Sequence, residues 1–326
     1  MNLTDNKKEM LELAEQLGMP ASEFGNTLHL LRLNKIHIVD MLPEMLLMIR
    51  SVIAKETFTY RRKPVNAVKK GLLFSFQNIF SHPPKDHQKH NEERSIQARP
   101  HIRISPLHME SEVVFPKAIT ITQITILIEL DFLKRFIGKD QEAFSYLFND
   151  EKTLLIEEFM SPEMADLVNE IAGIAELNLL SEAYYKLKAL ELLYLLFKNL
   201  SKRQHIKYQS LRNDEIAALY RLRDAISNSL EKPLPQDEMV KISGMNVLKL
   251  RKLFTQIFGR GIYEYSQYLR MQEAARLIKD EYLSVSETGY QLGFTNLSYF
   301  GRLFEQHHGM KPKKWSAQHR TKNNQV

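Results

Sequence analysis

Residues 235–259 read PQDEMVKISGMNVLKLRKLFTQIFG, and residues 284–315 read SVSETGYQLGFTNLSYFGRLFEQHHGMKPKKW. The two stretches share one plan: a short helical run, a glycine (Gly244, Gly293), a capping asparagine (Asn246, Asn296), and a second helical run with Leu-Phe near its end. A sharp turn between two helices usually needs a positive φ, which glycine adopts at no steric cost. The asparagine that follows accepts an orphan N–H from the first turn of the next helix. The sequence therefore encodes a helix-turn-helix twice, at about 236–258 and 285–308.

Spacing assigns the faces. In the first copy Leu250, Leu253, Phe254 and Ile257 recur at intervals of three and four and form a buried stripe, which leaves Leu248, Lys249, Arg251, Lys252 and Thr255 outward. In the second copy Phe300, Leu303 and Phe304 turn inward, and Leu297, Ser298, Gly301, Arg302 and Glu305 turn outward. Between the copies runs IYEYSQYLRMQEAARLIK, residues 262–279. As a helix it measures on the order of 27 Å at 1.5 Å per residue. With helix ends added, such a rod holds two recognition helices about 34 Å apart, one turn of B-DNA. One chain would then enter two successive major grooves on one face of a duplex.

On these residues, positions 213–318 resemble the DNA-binding domain of the AraC/XylS family of bacterial transcription regulators. The second copy carries the family signature as Gly293-Phe294, Ser298-Tyr299-Phe300, Arg302, Phe304, Gly309 and Pro312, and Arg270, Ala274 and Leu277 match the linker-helix pattern. The resemblance spans about a third of the chain. It implies that Leu248, Lys249, Arg251 and Lys252 in the first copy, and Leu297, Ser298, Gly301 and Arg302 in the second, contact bases and backbone, with Asn246 and Asn296 at the helix entries. Arg251 and Lys252 have the chemistry to read guanine or to grip phosphate; a solvated helix face is the plainer alternative. Some positions depart from the family pattern. The entry that is often Ser-Pro is Asn246-Val247, the small residue at the tight helix crossing is Val240 in one copy and Gly289 in the other, and Thr255-Gln256 and Glu305-Gln306 replace common lysine pairs. Phosphate affinity per monomer is then modest, and dimerisation matters more.

Composition agrees. A length of 326 residues suits two or three domains, and a formal charge of +6 suits a nucleic-acid partner. The absence of cysteine excludes disulfides, thiolate zinc sites and cysteine nucleophiles. There is no Gly-rich phosphate loop, no His-Glu-x-x-His, no nucleophile elbow, no secretory signal and no apolar run long enough to span a bilayer. The expectation is a cytoplasmic protein that is not an enzyme and has no catalytic residues, cofactor or metal.

Ahead of the helical half, the runs IHIV, ETFTY, GLLFSFQNIF, HIRIS, EVVF and ITITQITILIEL lie between Ile36 and Leu130, separated by turn-formers such as Lys63-Pro64, Arg99-Pro100 and Phe115-Pro116. Short strands so spaced suggest a β-sandwich or barrel. The resemblance implies a cupin-like barrel that binds an effector or serves dimerisation. Residues 4–17 read as a short amphipathic helix, and 130–148 as two helical pieces around Gly138. Ser161-Pro162-Glu163 starts another helix. From Ser181 to about Lys202 a helix places Leu187, Leu190, Tyr194 and Phe197 on one stripe, with Leu192, Leu193, Leu196 and Leu200 alongside. That much apolar surface fits either a dimer interface or packing on the chain's own barrel, and the resemblance favours the dimer. Asn213 or Asp214 is expected to cap the following helix.

Two features in the β-rich part leave alternatives open. His82, His87, His90, His101 and His108 fall close together, as a metal site would require, yet the polar stretch SHPPKDHQKHNEER reads better as a solvated loop. Between Lys55 and Arg103 there are eleven Lys/Arg against four acids, which fits an anionic ligand (a carboxylate, a phosphate or a siderophore) or a solvated basic surface.

The expected fold is α+β: a β-rich sensor domain over 1–160, a helical dimerisation segment and linker over 161–205, and an all-α double helix-turn-helix domain over 206–326. The function implied is a ligand-responsive transcription activator working as a homodimer on promoter DNA with RNA polymerase. The alternatives are a regulator whose N-terminal part docks a protein and, more remotely, an enzyme.

Overall fold

The computed structural model describes residues 30–42, 44–62, 70–77, 100–148, 154–173, 179–203 and 208–323. The helix expected at 4–17, His82, His87, His90 and most of the basic run between Lys63 and Arg99 lie outside these residues. The chain divides into two compact units, Met1–Leu211 and Arg212–Val326.

The first unit is built on antiparallel strands. These are β1 (Leu31–Leu42), β2 (Met45–Ala54), β3 (Phe58–Arg62), β4 (Gly71–Gln77), β5 (His101–Pro106), β6 (Ser111–Phe115), β7 (Thr120–Glu129) and β8 (Ile156–Phe159). Six of them form one sheet in the order β1-β2-β7-β4-β5-β8, and β3 pairs with β6 in a separate two-stranded ribbon. The central strand β7, TITQITILIE, is buried along nearly its whole length, as a strand covered on both faces must be. Each of the six expected runs contributes to a strand. Two strands escape the pattern. β2, MLLMIRSVIA, is led by Met and Leu, which favour helices, and β8 is only IEEF.

Helices α1 (Leu130–Ile137), α2 (Pro162–Gly173) and α3 (Ser181–Leu200) belong to the same unit, with a run of 3-10 turns over Gly138–Leu147. Gly138 breaks the segment in two, at φ 64°. Ser161 Oγ accepts from Met164 N, which caps α2 at the expected place. The inner face of α2 and α3 shares a core with one face of the sheet. Ile124, Ile126 and Ile128 of β7 and Phe74 and Phe76 of β4 meet Leu167, Ile171, Leu192, Leu196 and Phe197. Each such side chain contributes about 1.5–3 kcal/mol by burial. Arg203, just past α3, pairs with Glu158 of β8 at 3.5 Å, both almost fully buried. Much of the apolar surface of α3 is thus used at home: Leu192, Leu193, Leu196, Phe197 and Leu200 pack on the sheet, while Leu187 (69% exposed) and Tyr194 (60%) stay in solvent.

The second unit is helical: α4 (Asn213–Asn228), α5 (Gln236–Ser243), α6 (Val247–Phe258), α7 (Ile262–Asp280), α8 (Val285–Gln291), α9 (Leu297–His308) and α10 (Pro312–Asn323). The cap of α4 sits one residue earlier than expected, at Arg212, because Glu215 reaches back to accept the Arg212 N–H at 2.9 Å. Among the described residues no helix is long and apolar enough to cross a membrane.

Candidate nucleic-acid interface

The turn of the first helix-turn-helix is made by Gly244, at φ 65°, and Asn246 Oδ1 then accepts from Lys249 N at 2.9 Å to start α6. Gly293 makes the second turn at φ 73°, and Asn296 Oδ1 accepts from Tyr299 N at 3.0 Å to start α9. The two glycines are not equally constrained. A Cβ on Gly293 would lie 2.0 Å from the carbonyl oxygen of Glu231, whereas one on Gly244 would meet nothing within 4 Å. The expected crossing residue Gly289 also touches its neighbours: a Cβ there would be 2.6 Å from Leu297 Cδ2 and 3.3 Å from Phe300 Cδ1.

Inner faces follow the spacing. Leu250, Leu253, Phe254 and Ile257 are buried in α6, and Phe300, Leu303 and Phe304 in α9. An aromatic cluster of Phe254, Phe258 and Tyr265, with centroids 4.5–5.3 Å apart, fixes α6 against the start of α7. α7 runs 19 residues, about 28 Å at 1.5 Å per residue. Its Arg270 is buried, stacks over Phe294 at 3.9 Å and donates to the Leu292 carbonyl, so the turn of the second motif is held by the connecting helix. Burial lowers the Arg270 pKa, partly offset by Tyr263 and Tyr299. Tyr263 and Tyr299 approach at 3.4 Å between their hydroxyls, a second tie from α7 to α9, and this contact raises the Tyr299 pKa. His308 bonds the Met271 carbonyl through Nε2 at 3.0 Å and stacks beside Trp315. Burial holds the His307 and His308 pKa values below the ordinary histidine range, with His308 and Arg260 adding to the effect at His307.

Outward, Leu248, Arg251 and Lys252 of α6 are exposed, as are Ser298 and Arg302 of α9. Lys249 is only half-exposed because its ammonium pairs with Glu215 of α4 at 2.6 Å. Burial alone would raise the Glu215 carboxyl, but the Arg212 N–H and the Lys249 ammonium more than offset it and hold it below the usual range. Arg251 donates to Gln236 Oε1 at 3.0 Å. Leu297 is partly covered through its contact with Gly289, and Gly301 faces open space. The ties on Lys249 and Arg251 come from residues 34 and 15 positions away and had no signature in the local spacing. His101 is buried and His108 exposed, and among the described residues no group of three or more potential metal-binding side chains comes together.

Residues 239–318 match a family model described as a helix-turn-helix domain. The transcriptional activator RhaR of Salmonella schwarzengrund is 32% identical over 97 residues, 30% of this chain and 34% of that protein. The transcriptional regulator GlxA of Rhizobium meliloti is 27% identical over 88 residues, 27% of either chain. The chain thus spans about a third of the length of the curated relatives it matches. Among solved structures, a regulator with an AraC-type DNA-binding domain from Chromobacterium violaceum aligns with 33% of this chain and 96% of its own at 23% identity and TM-score 0.31. ToxT from Vibrio cholerae aligns with 84% of this chain and 98% of its own at 12% identity and TM-score 0.30.

Proposed function

We propose that this chain is a sequence-specific DNA-binding transcription regulator, because residues 239–318 match a helix-turn-helix domain and the relatives that share this stretch are transcription regulators. The observation that carries the reading is the pair of capped helices α6 and α9, each with an exposed hydrogen-bonding face, joined by a helix of 19 residues. Lys252 and Arg302 are exposed cations placed to meet DNA, with Asn246, Leu248, Lys249 and Arg251 around the first and Asn296, Leu297, Ser298 and Gly301 around the second. Phosphate contacts set the register and side chains on base edges set the sequence. Selection from a random DNA library with the full chain tests this. Enrichment of a motif with two elements about 10–10.5 bp apart is expected, and no enrichment over the starting library refutes it.

The fuller reading is a ligand-responsive activator that works as a homodimer, recruits RNA polymerase and senses an effector in a cupin-like first unit. Support for the dimer comes from Leu187 and Tyr194, seven residues apart on the exposed side of α3 while its other side is buried on the sheet. A second copy that covers this stripe would extend the dimerisation role to 161–205. Replacing Leu187 and Tyr194 together with Lys should convert dimer to monomer in sedimentation velocity. A dimer that survives the double change moves the interface elsewhere.

A further inference from the structure

The third residue of each recognition helix reaches back to the helix that precedes its motif. In α6 this residue is Lys249 and in α9 it is Tyr299, and the backbone N–H of each bonds the capping asparagine, so the two occupy the same place in their copies. Lys249 meets Glu215, the third residue of α4, ammonium to carboxylate at 2.6 Å. Tyr299 meets Tyr263, the second residue of α7, hydroxyl to hydroxyl at 3.4 Å. The ties are alike in place and opposite in chemistry. In the first copy a carboxylate sits beside the recognition helix, where it repels a phosphate and already holds the nearest cation. In the second copy two neutral hydroxyls sit there, with Tyr263 63% exposed and Tyr299 40%.

A pair of phenols has two protons, and their mutual bond uses one. The other O–H is left to donate outward, and among the described residues neither hydroxyl has a further hydrogen-bond partner. The charge around the pair is positive. Arg302 follows Tyr299 by three residues on α9, which makes the two side chains neighbours on the helix surface, and Arg302 is exposed. From beneath, Arg270 of α7 lies close to both tyrosines, and it donates to the Leu292 carbonyl and stacks on Phe294, both neutral groups. Both guanidiniums favour negative charge at the Tyr299 hydroxyl. The acid in the first turn of α7, Glu264, folds back to accept the Gly261 N–H at 3.4 Å. An exposed donor flanked by guanidiniums, at the edge of a helix that enters a major groove, stands where the phosphates of one strand pass.

We propose that the Tyr263–Tyr299 hydroxyl pair, with Arg302 beside it, binds one phosphate of the DNA backbone at the edge of the second half-site, so that the connecting helix touches DNA as well as spacing the motifs. No such contact forms at the first half-site, where Glu215 occupies the matching place. The contact fixes register and carries no sequence information, which is left to side chains on the base edges. The inference rests on the chain being a DNA-binding regulator, and it names the part of the duplex that this surface takes.

Ethylation interference on the motif enriched by selection, with the full chain as wild type, as Tyr263→Phe and as the double Tyr263→Phe, Tyr299→Phe variant, tests it. A phosphate that the protein grips blocks binding once it is ethylated. Wild type should show one such phosphate beside the α9 element that both variants no longer sense, while the phosphates beside the α6 element keep their effect. Tyr263→Phe should weaken binding by about tenfold, and equally on the motif and on unrelated DNA, because a backbone contact is blind to sequence. An interference pattern unchanged in Tyr263→Phe would overturn the proposal. A loss confined to the motif would overturn it too, since the pair would then only position α9. Failure of the selection to enrich any motif would instead remove the DNA-binding reading itself, and this proposal with it.

Discussion

The two helix-turn-helix copies follow one plan and are held by different forces. In the first, the outward face is tied into its own unit, with Lys249 on Glu215 and Arg251 on Gln236. In the second, Ser298 and Arg302 stand exposed, and the motif is secured from beneath by Arg270 on Leu292 and Phe294 and by the close fit of Gly289 against Leu297. A duplex that reached Lys249 would first have to take its ammonium from a carboxylate; one that reached Arg302 would displace only water. Motifs with matching letters need not contribute matching affinity. The difference also predicts where each copy is fragile.

The largest contrast should come from the turning glycines. Gly293→Ala must place a methyl on the Glu231 carbonyl as well as hold a positive φ, and should cost about 3 kcal/mol or more. Gly244→Ala meets open space and should cost about 1 kcal/mol, from φ alone. Trp315 is the chain's one tryptophan and packs, half-buried, against the core of the second copy, so its fluorescence in a urea titration reports the first of these losses directly. Equal losses at the two glycines would break the contrast.

Next in size is DNA affinity. Arg302→Ala should weaken specific binding by roughly 1–3 kcal/mol if a base contact is lost. Lys249→Ala should cost less than about 1 kcal/mol, because the pair with Glu215 already occupies its charge. Anisotropy titrations of both variants on the selected motif decide the matter, and a larger loss at Lys249 would reverse the assignment.

The smallest expected effect is on pH. His307 and His308 have folded pKa values below their unfolded ones, so they contribute stability above the unfolded value of about 6.5 that is lost as pH falls below it. The first copy has no histidine between Asn213 and Arg260. Mild acid should therefore lower the Trp315-detected transition before Glu215, whose pKa is also depressed, begins to protonate further down. A transition that is flat from pH 7 to 5.5 would remove this role for the histidines.

Much of this was legible in the sequence where the cause was local. Caps, turning glycines and inner faces are decided within a few residues, and Asn246, Asn296, Gly244 and Gly293 behave as their spacing demands. What depended on distant partners was not legible. β2 became a strand only because it lies between β1 and β7, and α3 divides its apolar surface between the sheet and solvent. Arg62, part of a basic run that also reads as a solvated surface, is buried because the ribbon folds over the sheet.

The central claim is that one chain reads two successive major grooves, one with α6 and one with α9. Hydroxyl-radical footprinting on the selected motif, with wild type, Lys252→Ala and Arg302→Ala side by side, tests it most directly. Two protected segments about one helical turn apart are expected, with Lys252→Ala weakening one and Arg302→Ala the other. A single protected segment, or both variants weakening the same one, would contradict it.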